Sequence, residues 1–544
     1  MLSSLTLSQQ VAQMVVVRAS GYLFDHQIQY PVWEPPAATL RYWVEDLGVG
    51  GVILLGGSAG ELSLRIQQLQ NWATIPLLIC ADVEEGVGQR FSGATWFPPP
   101  MALAAIAQSD LPAAYHYAEQ MGAITAQESL AIGLNWLLSP TVDVNNNPDN
   151  PVINVRAFGE ATQIVSELAI AFMRGAHRHS ILTTAKHFPG HGDTAVDSHL
   201  ELPILGHDRS RLEQIELPPF QAAIQAGVDA VMSAHLQIPA LDTEYPATLS
   251  PKILTQELRQ HMGFEGLIVT DALVMGAIAN RYGTEEAAVL AVEAGADILL
   301  MPLHPEKAIA AVCAAVEAGR IAPEKIESAI ERIGRAKQKV SPPIQSDTPH
   351  DWERQPVKAI DLSSLGQSDA LSTCAQILEK SQKVHRPTPS RLDSLTQTGR
   401  NLILVDDLID CDFLTRTASA ITLPDQFGFT QLEVVDRHTP KIQQVDQKNF
   451  PTLLQLFIRG NPFRGSAGLT QTACDWFDFL LKSEQLQGLV IYGSPYVLEQ
   501  FVLSLPSDVP YVFSYGQMPS AQAIALEALF RSDFFELPGK EPPL

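Results

Sequence analysis

Pro76-Leu77-Leu78-Ile79-Cys80-Ala81-Asp82 is an unbroken apolar run that ends in a carboxylate. A strand buried on both faces reads this way, because neither of its alternating sides meets water. A strand with one wet face alternates instead. Gly51-Val52-Ile53-Leu54-Leu55 reads the same way, and similar runs lie at 14–17, 135–138, 182–187, 230–235, 267–270 and 298–301. Most are followed by a helix-compatible segment. Eight such runs predict an α/β fold, a (β/α)8 TIM-type barrel spanning residues 1–340.

Chemically equipped residues recur at the ends of these runs: Asp82, His187, His235 and Asp271. In a barrel every strand C-terminus opens onto one face, where active sites are built. A doubly wound open sheet would gather them at one switch point. Residues 341–355, with Ser341-Pro342-Pro343 and Pro349, read as a linker. Beyond it, strand-like runs at 402–405, 432–435, 453–458, 489–492 and 511–514, with helical stretches at 472–482 and 521–530, predict a smaller α/β sandwich domain over 356–544. That domain carries no convergent catalytic motif.

The 544 residues are 46% hydrophobic and 18% charged, enough to bury a large core. The 60 acidic against 36 basic residues leave a net charge of −24, which opposes binding to a phosphate backbone and argues against a nucleic-acid partner. Cys80, Cys313, Cys374, Cys411 and Cys474 form no CxxC pair, a usage that suits a reducing compartment. No stretch approaches the about 20 apolar residues that span a bilayer, and the apolar run at 15–17 is short for a signal-peptide core. The expectation is a cytoplasmic protein with no membrane partner.

The densest chemistry lies at Lys186-His187-Phe188-Pro189-Gly190-His191-Gly192-Asp193-Thr194-Ala195-Val196-Asp197-Ser198-His199. A polar βα loop needs no such crowd of titratable types. Asp197 and His199, two apart, can form an acid/base dyad in which a carboxylate orients an imidazole, although this spacing also arises by chance. His187 and His191 have a metal-ligand spacing only on a helix, which Pro189 and Gly190 oppose, so no metal is expected. Asp271, after the run at 267–270, suits a nucleophile and equally suits the N-cap of a helix beginning near Ala272. Asp82 and Arg90 share one βα loop and can bind sugar hydroxyls or form a surface salt bridge. Asn154 to Glu160 adds Arg156 beside an aromatic and a glycine. The glycines at 48, 50, 51, 56, 57 and 60 match no GxGxxG opening a helix, so a nucleotide cofactor is not implied.

Taken together, KHFPGHGDTAVDSH at 186–199, VMSAH at 231–235, PATLS at 246–250, LIVTDALVM at 267–275 and the 82–90 loop resemble glycoside hydrolase family 3, in particular its NagZ-type β-N-acetylglucosaminidases in two-domain form. The resemblance covers roughly residues 5–335. It implies a retaining exo-β-N-acetylglucosaminidase with no cofactor, acting on terminal β-linked N-acetylglucosamine of a glycan or muropeptide. Asp271 would be the nucleophile and His199, oriented by Asp197, the general acid/base. Asp82, Arg90, Arg156, Lys186 and His187 would bind the sugar, with His235 supporting the pocket. A monomer is the family-level expectation. The chain departs from the family at Glu85-Gly86-Val87, where Gly-Gly-Arg is usual, and at Ala272, where a second Asp is frequent. Two rival readings stay open: a phosphorylase using the same residues, and a catalytically silent sugar-binding protein.

Overall fold

The computed structural model describes residues 5–198, 201–341, 361–394, 397–409, 411–439, 450–460 and 471–530. The chain divides into two compact units, the first running through Thr373 and the second beginning at Cys374.

The first unit contains strands β1 (Val15–Ser20), β2 (Gly51–Leu55), β3 (Leu78–Ala81), β4 (Trp136–Leu137), β5 (Thr184–Phe188), β6 (Ala230–Ser233), β7 (Leu267–Val269) and β8 (Leu299–Leu300). They hydrogen-bond in the orders β4-β3-β2-β1-β8 and β5-β6-β7, all parallel. Two single bridges join these arcs, Trp136 with Leu182 and Val269 with Ile298, so the eight strands close a ring in sequence order. Each of the eight apolar runs contains or overlaps one strand. β1 continues past its apolar run because Arg18, Ala19 and Ser20 stay in register with Ile53, Leu54 and Leu55 of β2.

Local chemistry starts several of the surrounding helices. Thr6 and Gln9 form a capping box ahead of Leu7–Gln13, and Ser58 and Asp208 accept from Glu61 N at 3.2 Å and Arg211 N at 2.9 Å. The helix Pro323–Val340 buries Ile326, Ala329, Ile330, Ile333, Ala336 and Lys337, an apolar stripe at helical spacing. Lys337 is buried, and its ammonium meets Gln13 Oε1 at 2.7 Å, which ties the end of the barrel chain to its beginning. No helix among the described residues is long and apolar enough to cross a membrane.

The second unit is a sheet of β9 (Lys383–His385), β10 (Arg400–Leu404), β11 (Gln431–Val435), β12 (Thr452–Ile458), β13 (Leu486–Gly493) and β14 (Tyr511–Ser514), ordered β11-β10-β12-β13-β14-β9. Five strands are parallel and β9 is antiparallel to β14. The central β12 is buried along its whole length. β9 escapes sequence reading because all three of its residues are exposed and it carries no apolar pattern.

Candidate active site

The C-terminal ends of β3, β4, β5 and β7 bring together groups far apart in the chain. Asp82 follows β3, and its Oδ1 lies 2.7 Å from Lys186 Nζ on β5. The same ammonium reaches Glu84 Oε1 at 2.6 Å. Arg156 closes the cluster with a two-pronged contact, its Nη2 and Nε donating to Glu84 Oε1 and Oε2 at 2.7 and 2.8 Å. Its Nη1 donates to Val152 O at 3.0 Å, so all three nitrogens of Arg156 are engaged within the protein. Lys186 is 1% exposed and Glu84 3%, whereas the Asp82 side chain is 28% exposed, so this carboxylate is the one that meets solvent.

Burial pushes the Glu84 carboxyl up, but Arg156 and Lys186 overcome that push and hold it well below its ordinary value. Asp82 is lowered against its burial by Lys186 and Arg90 in the same way. Lys186 is raised despite burial, by Asp82 and Glu84. The cluster is therefore a set of fixed charges, preorganised to accept and donate to hydroxyl groups. Arg90 is exposed and donates from Nε to Asp82 O at 3.0 Å.

Beside it, buried Asp143 accepts from His187 Nδ1 at 2.8 Å and from the backbone N–H of His191 at 2.7 Å. Burial pushes the Asp143 carboxyl up, yet His187 and His191 bring it below its usual range. Sequence reading assigned no role to Asp143 or Glu84. Asp143 also follows an apolar run, that at 135–138, but at a greater distance than Asp82 and Asp271 follow theirs.

The loop after β5 is held at its start. Asn150 Nδ2 donates to His191 O and Gly192 O at 2.8 and 2.9 Å, while its Oδ1 accepts from Val152 N and Ile153 N at 2.9 and 2.8 Å. Both ring nitrogens of His191 lie on hydroxyls, Nδ1 on Thr194 Oγ1 at 2.8 Å and Nε2 on Ser198 Oγ at 3.0 Å. Burial, helped by neighbouring His187, pushes this imidazole down to about 4 against the pull of Asp143 and Asp271, so it is neutral at ordinary pH. Asp193 accepts from His207 Nε2 at 2.8 Å and from Arg211 Nη2 at 3.2 Å. Asp197 is 2% exposed. His199 lies outside the described residues.

Asp271 stands after β7, partly buried, with Oδ1 accepting from Ala272 N at 2.7 Å. It does not cap a helix: the next helix is Gly276–Tyr282 and its N-cap is Met275. That removes the helix-cap reading of this carboxylate. His235, fully buried after β6, lies 2.8 Å from Thr248 Oγ1 through Nδ1 and 3.0 Å from Ala272 O through Nε2. A carbonyl only accepts, so Nε2 carries a proton and His235 braces the backbone next to Asp271.

Comparison with known proteins agrees with this architecture. The profile of the "Glycosyl hydrolase family 3 N terminal domain" matches residues 6–336, and that of the "Bacterial Glycosyl hydrolase family 3 C-terminal domain" matches 393–531. The chain belongs to glycosyl hydrolase family 3. It is 37% identical to beta-hexosaminidase A of Pseudoalteromonas piscicida over 373 residues, 62% of each chain. It is 30% identical to a beta-N-acetylglucosaminidase/beta-glucosidase of Cellulomonas fimi over 304 residues, 54% of this chain and 53% of the relative. These alignments thus cover less than two thirds of either relative. The solved family 3 β-N-acetylglucosaminidase of Paenibacillus sp. str. FPU-7 superposes with a TM-score of 0.78 at 28% identity, covering 97% of both chains.

Proposed function

We propose that the chain is a retaining exo-β-N-acetylglucosaminidase that removes terminal β-linked N-acetylglucosamine, with peptidoglycan fragments in the cytoplasm as its substrate. The observation that carries the proposal is the convergence of Asp82, Glu84, Lys186 and Arg156 into one charge-compensated cluster. It lies at the barrel end that also carries Asp271, which is not the N-cap of the helix that follows. Hexosaminidase relatives at 37% and 30% identity support the same substrate class.

In this reading Asp271 attacks the anomeric carbon while the bond to the leaving oxygen breaks. His199, held as imidazolium by Asp197, gives that oxygen a proton. Water then attacks the glycosyl-enzyme, neutral His199 takes its proton, and the bond to Asp271 breaks, returning the β-configured sugar. An imidazole has an ordinary pKa near 6.5, suited to both halves of the cycle at neutral pH. Asp82, Arg90, Arg156, Lys186 and His187 hold the hydroxyls of the sugar, with Arg156 also fixing Glu84.

The test is turnover of an aryl N-acetyl-β-glucosaminide beside the matching β-glucoside, with and without phosphate. We expect the N-acetyl substrate alone to be cleaved, at a rate indifferent to phosphate. Asp271→Ala abolishes turnover with the fold intact, and a fluorosugar inactivator labels the peptide containing Asp271. Release of a sugar 1-phosphate would make the protein a phosphorylase. Failure of both substrates together with failure of labelling would leave a silent binder.

A further inference from the structure

The connection from β1 to the helix Ala37–Glu45 spans residues 21–36, long beside the about 2–6 residues usual for such loops. Its outer surface is apolar and open to water: Phe24 is 60% exposed, Tyr30 48% and Val32 75%. The loop is nevertheless firmly held. Buried Arg65 donates to Tyr22 O at 3.1 Å through Nε and to Leu23 O at 3.0 Å through Nη2, and Glu61 Oε1 accepts from Leu23 N at 3.0 Å. Further along, Glu34, 2% exposed, accepts from Arg18 Nη2 at 2.7 Å and Nε at 3.0 Å. The Arg18 guanidinium in turn lies 4.9 Å from the Tyr30 ring and 5.3 Å from the Trp33 ring. Tyr30 and Trp33 are inclined by 22° with centroids 6.0 Å apart, and Phe24 lies in the same relation to His26 at 5.9 Å.

Buried Arg65 and partly buried Arg18 thus hold an aromatic surface in water. A loop that only connected two elements would be shorter and polar. Because it follows β1, it rises on the barrel face that also carries Asp82, Lys186 and Asp271. An exo-acting site holds one terminal sugar among its charges and leaves the next ring outside, at the rim. A pyranose ring has an apolar face of C–H bonds, and an aromatic face packs against it.

We propose that Phe24 and Tyr30 form the aglycone subsite and receive the second pyranose ring of a β-linked oligosaccharide. The proposal rests on the glycosidase reading above and adds a specificity determinant to it. The preorganised loop pays little ordering entropy when the ring docks.

The test compares two substrates: the β-1,4-linked disaccharide of N-acetylglucosamine, which has a second ring, and the corresponding glycosyl fluoride, whose leaving group is one atom. Phe24→Ala and Tyr30→Ala should each lower kcat/KM for the disaccharide about tenfold, equivalent to about 1.4 kcal/mol. Turnover of the fluoride should stay within about twofold, since its one-atom leaving group has no ring to meet the aromatic surface. Phe24→Trp should restore the disaccharide. Equal losses on both substrates would assign the loop to the fold alone, and unchanged disaccharide kinetics would also overturn the proposal. A wild-type protein inactive on the fluoride would refute the glycosidase reading itself and take the subsite with it.

Discussion

Asn150→Asp is a nearly isosteric change that tests how the loop after β5 is held. The Asn150 amide nitrogen serves His191 O and Gly192 O at 2.8 and 2.9 Å, and Thr194 Oγ1 at 3.4 Å, while its oxygen serves two backbone N–H groups. The substitution keeps the acceptor side and turns the donor side into an oxygen facing two buried carbonyls. Leaving a buried partner unsatisfied costs about 1–3 kcal/mol each, so the loss is about 4 kcal/mol for the two. Burial against carbonyls favours the protonated acid, which raises the folded-state pKa of the introduced carboxyl above its unfolded value of about 3.9. The variant therefore recovers part of its deficit at low pH and loses it again as pH rises through that folded pKa. Urea unfolding at several pH values, followed by the tryptophans at 33, 43, 72, 96 and 136 of the barrel unit, measures both effects. A variant within about 0.5 kcal/mol of wild type at every pH, where ordinary surface changes fall, would refute the claim that Asn150 holds the loop.

Three further outcomes follow from the same site. His191 sits at about 4 in the fold against 6.5 unperturbed, so acid protonates the unfolded ring first. The barrel should hold this contribution fully above pH 6.5 and lose about 3 kcal/mol as pH falls toward 4. His191→Gln should flatten that slope, and parallel pH profiles of stability would contradict the assignment. A Cβ on Gly192 would lie 1.8 Å from Val144 O, a backbone atom that cannot yield cheaply. Gly192→Ala should therefore cost about 3 kcal/mol or more, read as a fall in Tm, and an unchanged Tm would contradict it. His199→Ala should reduce turnover of the N-acetylglucosamine disaccharide by about 100-fold or more, with a far smaller effect on an aryl glycoside whose leaving group needs no proton. Equal losses on both would argue against proton donation by His199.

The site was partly legible because barrel topology turns a one-dimensional rule into a three-dimensional one. A charged residue just after a buried run must emerge on the catalytic face, and Asp82, His187, His235 and Asp271 were found that way. Asp143 escaped because it stands further past its short strand, Trp136–Leu137, and Glu84 because it is one of two adjacent glutamates with nothing local to separate them. In the fold Glu84 meets Arg156 and Lys186, while Glu85 accepts from Trp96 Nε1 at 3.1 Å.

Neighbours along the chain are enough to set the elements: continuous apolar runs make strands buried on both faces, and their number and alternation with helices make the barrel. Which charges face each other is settled by the folded chain. Lys186 finds Asp82 104 positions away, Arg156 finds Glu84 72 away and His187 finds Asp143 44 away, separations that no local period encodes. The fold also decides that Asp271 is no helix cap, because the chain runs on to Met275 before a helix begins. Ring closure is the reason. Strands that are distant in sequence end side by side at one mouth, where burial makes an unpaired charge too costly and so selects the partners.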